Sequence, residues 1–166
     1  MMSIVDQMLR PFVRFADFSG RASRAEYWSF TLLVLAMGLI GTAIELRLGL
    51  PRLGLVFGPL TFGLALVTFI PGLALQTRRL HDVGVSGWWA LVMWGPFFAA
   101  IVYFAGQSGL VMTMAFDTGW MTAMLLFNLA QTLGGFALIT LLIQRGRRGR
   151  NSYGEDPCQL AGSVTS

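Results

Sequence analysis

The sequence predicts an all-α integral membrane protein with four transmembrane helices and cytoplasmic N- and C-termini, preceded by a short amphipathic interfacial helix. Two observations predict this class. First, 55% of the residues are hydrophobic and only 12% are charged, whereas soluble domains carry about 25% charged residues. Second, the chain contains long uncharged stretches with arginines gathered at their ends. Such stretches must be helical in a membrane, because unpaired backbone groups are costly in lipid.

The predicted spans follow the uncharged stretches of one membrane domain, residues 1–166. A helix rises 1.5 Å per residue, so about 20 residues cross a hydrocarbon core of about 30 Å. Prolines are compatible with membrane helices, although we expect Pro71 to kink the second helix or to end it early. The domain comprises a cytoplasmic interfacial segment, 1–25, spans at 27–46, 53–77, 88–106 and 119–144, and a cytoplasmic tail, 145–166.

The placement of the arginines predicts the orientation. All twelve basic residues are arginine, and in a four-span topology only Arg47 and Arg52 fall on the side opposite the two termini. By the positive-inside rule, the arginine-rich side is cytoplasmic. The expected location is the bacterial inner membrane as a multi-pass protein. Because the charges sit at the ends of apolar stretches, the net charge of +4 suits a membrane surface, and we expect no nucleic-acid partner.

An amphipathic helix is expected ahead of the first span. Its apolar residues recur at helical spacing and leave Asp6 and Arg10 largely off the stripe. Such a helix would lie in the cytoplasmic interface. A flexible tail with chance periodicity is the alternative. The stripe consists of Ile4, Val5, Met8, Leu9, Phe12 and Val13.

Three polar segments face the cytoplasm together in this topology: residues 18–28 (FSGRASRAEYW), 78–89 (RRLHDVGVSGWW) and 146–157 (GRRGRNSYGEDP). Ser23 and Glu26 have the spacing of a capping box, in which both side chains satisfy free N–H groups at a helix start. Aromatic residues at the cytoplasmic ends of the first and third spans are typical interface anchors. These anchors are Tyr27, Trp28, Trp88 and Trp89.

The positive-inside rule does not account for His81 and Asp82. If the second helix continues through Asp82, either Arg78 at i−4 or Arg79 at i−3 can pair with its carboxylate. Two roles stay open for the surrounding cluster: an architectural network, since buried charges need partners, or a site whose arginine forks bind the phosphate of an anionic lipid. The candidate cluster consists of Arg21, Arg24, Glu26, Arg78, Arg79, His81 and Asp82.

The three segments resemble a family of small bacterial inner-membrane proteins known as domain of unknown function 805. The family pattern is a phenylalanine followed by GRxxRxEYW, then RRLHD with a WW pair, then NxYGxDP. The resemblance implies a four-helix membrane protein and no particular activity. The matching residues are Gly20, Arg21, Arg24, Glu26, Tyr27, Trp28, Arg78, Arg79, Leu80, His81, Asp82, Trp88, Trp89, Asn151, Tyr153, Gly154, Asp156 and Pro157.

Three functional hypotheses follow. The first is a non-enzymatic protein whose cluster binds membrane lipids, such as anionic phospholipid, or a partner protein. The second is a small transporter or channel acting as a homo-oligomer, although the spans lack the mid-membrane charge usual in such proteins. The third is a lipid-modifying enzyme using His81 as the acid–base group. We predict no cofactor and no catalytic residue, because the sequence has no GxSxG, HExxH, P-loop or paired-carboxylate motif. We also predict no metal site, because one histidine and one distant cysteine, Cys158, make a poor ligand set.

Overall fold

The computed structural model describes residues 3–51, 58–90 and 118–157. Within these ranges the chain is helical and contains no β-strand, which confirms the all-α class for the described residues. Of the predicted third span, 88–106, only residues 88–90 are described, and they are helical. The helices are α1 (Ile4–Val13), α2 (Arg24–Leu48), α3 (Pro59–Val83) and α4 (Thr118–Ile143).

The helix predicted ahead of the first span is present as α1. It begins with a capping box that the sequence analysis did not identify. The Ser3 hydroxyl accepts from the Asp6 N–H at 3.0 Å, and the Asp6 carboxylate accepts from the Ser3 N–H at 3.1 Å. Hydrogen bonds from the side chain and the backbone of Ser3 to the Asp6 carboxylate hold the pKa of Asp6 below its ordinary value. Most of the apolar stripe is exposed, at Ile4, Val5, Leu9 and Val13.

Two of the described helices, α2 and α3, are long and apolar enough to cross a membrane. Ser23 caps α2 by accepting from the Glu26 N–H at 3.1 Å, and Gly49, with φ 61°, ends the helix in a left-handed conformation. Both helices direct large apolar side chains outward, an arrangement suited to a lipid environment and costly in water. The exposed residues include Leu32, Leu35, Leu39, Ile40, Leu46, Phe62, Leu66 and Val67.

The helix α3 extends beyond the residues of the predicted second span. Of the two alternatives expected at Pro71, early termination does not occur, because Pro71 lies buried inside the helix. The helix continues past Thr77, where the predicted span stops, as far as Val83. Gly84, with φ 85°, then closes the helix through its N–H bonds to the carbonyls of His81 and Leu80. A proline removes one backbone hydrogen bond, but the buried turns after Pro71 hold the helix together. The RRLHD residues therefore lie on a helix rather than in a loop.

Residues 3–51, 58–87 and 145–157 belong to one compact unit. Its apolar core lies where α1, α2 and the later half of α3 meet, around Ala22, Phe30 and Leu75. The ring of Phe12 packs edge-on against Phe30 with centroids 5.4 Å apart, so α1 is anchored to α2. Residues 88–90 and 118–144 belong to a second unit, in which α4 exposes Leu126, Leu129, Leu133, Phe136, Ile139 and Ile143.

A buried carboxylate near the C-terminal end of α2 caps the N-terminal end of α3. The Glu45 carboxylate accepts from the Thr61 N–H at 2.8 Å and from the Thr61 hydroxyl at 3.1 Å. An α-helix leaves its first N–H groups without internal partners, and negative charge is favourable at that end. Gly58 makes room for this contact, since a Cβ there would collide with the Glu45 carboxylate. Glu45, treated in the sequence as the end of a span, is thus a cap for the neighbouring helix.

Candidate functional site

The three polar segments meet at the C-terminal end of α3. The loop between α1 and α2 and the tail that follows residue 144 both contact this end. The Ala22 N–H donates to the Arg78 carbonyl at 3.1 Å, and the Arg147 N–H donates to the Asp82 carbonyl at 2.9 Å. Segments far apart in the sequence therefore form one polar site.

Two arginines share the carboxylate of Asp82. Arg21 approaches one oxygen, with Nε at 2.9 Å and Nη2 at 2.8 Å, while Arg79 pairs with the other oxygen. All three side chains are buried. Of the two possible partners on α3, Arg79 at i−3 takes the aspartate and Arg78 does not. We call Arg21, Arg79 and Asp82 the Asp82 cluster.

Arg21 also holds the tail. Its Nη1 donates to the carbonyls of Gly149 and Gly154, and its Nη2 donates to the carbonyl of Arg147. Together with the bonds to Asp82, every nitrogen of this guanidinium has an acceptor. The guanidinium of Arg21 is therefore fully hydrogen-bonded, and it holds the loop, the end of α3 and the tail together as a structural clasp.

The tail caps the last carbonyls of α3. The Asn151 side-chain amide donates to the His81 carbonyl at 2.9 Å, next to the Arg147 bond to Asp82. Asn151 and Gly154 also bond to each other in a tight turn, at 3.0 and 3.2 Å. Gly146 lies so close that a Cβ on it would collide with the Asp82 carboxylate. The tail motif thus supplies the partners that a helix C-terminus lacks.

His81 points away from Asp82 and toward the loop and the tail. Its Nδ1 lies 3.2 Å from the Gly20 carbonyl, and its ring stacks on Tyr153 with centroids 3.9 Å apart and planes 4° apart. Because a carbonyl can only accept, Nδ1 is the nitrogen that carries the proton in this bond. No described carboxylate accepts a hydrogen bond from His81. His81 therefore joins the α1–α2 loop, through Gly20, to the tail, through Tyr153.

Glu26 and Arg78 form a second, looser group with Arg10, which we call the Glu26 cluster. Arg78 Nη1 lies 3.4 Å from one Glu26 oxygen, and Arg10 Nη1 lies 3.6 Å from the other. Charge-assisted hydrogen bonds are shorter, about 2.7–2.9 Å. The Glu26 side chain faces these arginines and does not bond to the Ser23 N–H, so the capping box expected here is only half formed.

Arg10 and Arg14 are site residues that the sequence analysis missed, having assigned them only to positive-inside charge. Arg14 binds Asp17 through Nε at 2.9 Å and through Nη2, and Asp17 also accepts from the Ser19 N–H at 3.0 Å. The Ser19 and Arg14 bonds hold the pKa of Asp17 far below its usual range. The i, i+3 spacing of Arg14 and Asp17 was the available signal.

The structure does not bring every predicted residue into the site. Arg24 is exposed and joins neither cluster within the described residues. Of the expected interface anchors, Tyr27 and Trp28 meet edge to face with centroids 5.3 Å apart, and Trp88 and Trp89 are exposed. In the parts of the chain that are described, no three histidine, cysteine or acidic residues lie close enough to hold a metal ion.

These features define a class: a helical protein with two membrane-length apolar helices and three polar segments joined at one helix end. The chain belongs to the family described as protein of unknown function (DUF805), whose family model matches residues 15–155. The match covers the first two polar segments and the third as far as residue 155, and it confirms the resemblance seen in the sequence.

Two curated relatives come from Escherichia coli strain K12. The chain is 34% identical to inner membrane protein YhaI over 145 residues, which cover 86% of this chain and 87% of YhaI. It is 36% identical to inner membrane protein YhaH over 107 residues, which cover 63% of this chain and 88% of YhaH. No solved structure matches the chain.

Proposed function

We propose that this protein is a four-span, non-enzymatic protein of the bacterial inner membrane whose cytoplasmic arginine face binds anionic phospholipid. Both termini and the three joined polar segments lie on the cytoplasmic side in this proposal. Two membrane-length helices, their exposed apolar side chains and relatives named as inner membrane proteins support the location.

The observation that carries the binding proposal is an excess of arginine at one helix end. Five arginines take part in ion pairs there with only three carboxylates, which leaves two positive charges. A surplus at headgroup level attracts anionic lipid, and arginine forks match phosphate oxygens. The five arginines are Arg10, Arg14, Arg21, Arg78 and Arg79.

Native mass spectrometry of the full chain released from mixed micelles tests the binding. We expect phosphatidylglycerol to be retained in preference to phosphatidylcholine of the same acyl composition. A salt titration separates headgroup recognition from acyl-chain binding, because screening weakens contacts between exposed charges. Equal retention of both lipids would remove the binding proposal.

The single cysteine, Cys158, tests the topology without further engineering. A membrane-impermeant maleimide should leave Cys158 unlabelled in intact spheroplasts and should label it after lysis. A positive control is Ser108→Cys in a Cys158→Ser background, because residue 108 belongs to the proposed outer connection. Labelling of Cys158 in intact spheroplasts would contradict a cytoplasmic C-terminus.

A further inference from the structure

The two arginine clusters differ in how well their charges are hydrogen-bonded. In the Asp82 cluster, the Arg21 nitrogens lie 2.8 and 2.9 Å from the carboxylate. In the Glu26 cluster, the shortest distance between a guanidinium nitrogen and the carboxylate is 3.4 Å. Among the described residues, no buried side-chain nitrogen of the first cluster lacks a hydrogen bond, whereas two nitrogens of Arg78 in the second cluster do.

The unused donors belong to Arg78. Its side chain is fully buried, and neither Nη1 nor Nη2 makes a hydrogen bond to any described residue. The Glu26 oxygen nearest to it, Oε1, also lacks a hydrogen bond. Leaving a buried charged group without hydrogen bonds is energetically costly. Arg78 is therefore suited to a ligand that brings its own hydrogen-bond acceptors, because the Glu26 carboxylate does not accept from these donors.

Arg10 is the exposed member of the Glu26 cluster. The Arg10 side chain is 39% exposed, while those of Arg78 and Glu26 are buried. Arg10 sits on α1, whose apolar residues Val5 and Leu9 are exposed. A molecule that joins a phosphate to an apolar chain meets both features at once.

We propose that the Glu26 cluster is a phosphate subsite, in which the phosphate of an anionic phospholipid binds between Arg10 and Arg78. This inference rests on the proposed function and names where the headgroup binds. The phosphate takes the position that Glu26 holds between the two guanidinium groups and supplies the acceptors that Arg78 lacks. The exposed apolar side of α1 lies along the acyl chains.

When the phosphate binds, the Glu26 carboxylate can turn to another hydrogen-bond donor. Glu26 is the third residue of α2, and the Ser23 N–H lies where a capping-box glutamate binds. Turning the carboxylate from Arg78 to the Ser23 N–H completes the half-formed box. Glu26 therefore competes with the headgroup for the same arginines, and removal of its charge favours the headgroup.

Two substitutions with opposite expected effects on phosphatidylglycerol retention test the subsite. Arg10→Gln removes a half-exposed phosphate donor, and we expect phosphatidylglycerol retention in native mass spectrometry to fall about tenfold, as for loss of a charge-assisted hydrogen bond. Glu26→Gln removes the competitor, and retention should rise. The matched control is Arg148→Gln, which removes one exposed arginine from the tail and should change retention less than about twofold.

Melting temperatures measured with and without lipid distinguish a change in the subsite from misfolding. Glu26→Gln leaves the buried Arg78 without a counter-charge, so its melting temperature without lipid should fall. Phosphatidylglycerol should restore it, and phosphatidylcholine should not, because a ligand stabilises the state to which it binds. Arg78→Lys keeps the charge but loses the fork and should weaken retention. If Arg78→Lys does not fold, phosphatidylglycerol retention by Arg10→Gln and Glu26→Gln still tests the subsite.

The outcomes separate this inference from the proposed function. If the wild type prefers phosphatidylglycerol but Arg10→Gln behaves like Arg148→Gln, the binding function stands and the subsite is overturned. A fall in retention for Glu26→Gln, with no rescue by lipid, also overturns it. Inorganic phosphate is the third arm: stabilisation by phosphate ion with no response to phosphatidylglycerol would show that the ligand is a free anion and overturn the lipid assignment. Equal retention of both lipids by the wild type removes the proposed function itself.

Discussion

Arg21 and Asp82, 61 positions apart in the sequence, meet in a buried contact in which Nε and Nη2 of the arginine reach the same carboxylate oxygen at 2.9 and 2.8 Å. Arg79 binds the other oxygen of that carboxylate, and Arg21 also binds tail carbonyls. One guanidinium thus joins the α1–α2 loop, the end of α3 and the tail, so the three polar segments depend on each other.

Loss of Arg21 should release this clasp. Arg21→Ala leaves Asp82 buried with half of its counter-charge and frees the tail carbonyls, and removing one partner of a buried pair costs about 3–5 kcal/mol. We expect a lower melting temperature in detergent and faster protease cleavage of the tail. Arg150→Ala is the control, because its pair with Glu155 is exposed and such pairs contribute about 0–1 kcal/mol. Equal melting temperatures for Arg21→Ala and Arg150→Ala would show that Arg21 does not hold the three segments together.

Substitutions of His81 should separate stacking from hydrogen bonding. His81→Phe keeps a flat ring against Tyr153 and loses the bond to the Gly20 carbonyl, at a cost of about 0.5–1.5 kcal/mol. His81→Ala also loses the stack, worth about 0.5–1.5 kcal/mol more. The melting temperatures should therefore fall in the order wild type, His81→Phe, His81→Ala. Identical melting of all three proteins would show that His81 does not join the segments.

Glu45 should stabilise the α2–α3 pair through Thr61. Glu45→Ala leaves the buried Thr61 N–H without this acceptor, which costs about 1–3 kcal/mol, whereas Glu45→Gln keeps an acceptor and should cost less. Thermal unfolding in detergent measures both. The control is Glu155→Ala, an exposed acid in the tail. Indistinguishable melting of Glu45→Ala and Glu155→Ala would rule out the capping role.

Asp17 should make stability depend on pH in the acidic range. Its folded pKa lies below its ordinary value of 3.8, so its contribution to stability is complete well above pH 3.8 and is lost as the pH falls toward the folded pKa. Asp17→Asn removes that contribution. The difference in melting temperature between wild type and Asp17→Asn should be constant near neutral pH and should shrink as the pH falls below about 4. A difference that grows on acidification would contradict the assigned shift.

The sequence predicted the helical class and the helices α1 and α2, because long uncharged stretches and helical periodicity are local signals. It also predicted that Asp82 would pair with an arginine one turn away. The sequence left the C-terminal end of α3 open. Proline at position 71 and arginine at position 78 are both typical of helix ends, yet packing and ion pairs from other segments carry α3 to Val83.

The division of the site into two clusters was not predictable from the sequence. Arg78 and Arg79 are adjacent and chemically equal, but successive helix positions point about 100° apart. Arg78 therefore faces Glu26 on α2, and Arg79 faces Asp82 and the loop. Which neighbour each one meets depends on how α1, α2 and the tail pack around α3. Spacing along one helix carries no information about this packing.

A structure determined in phosphatidylglycerol nanodiscs tests the central claim most directly. We predict a phosphate with oxygens about 2.7–2.9 Å from guanidinium nitrogens of Arg10 and Arg78, with the Glu26 carboxylate turned to the Ser23 N–H. The Asp82 cluster should be unchanged. A structure in which Glu26 still lies between the two arginines, with the lipid phosphate elsewhere, would contradict the account.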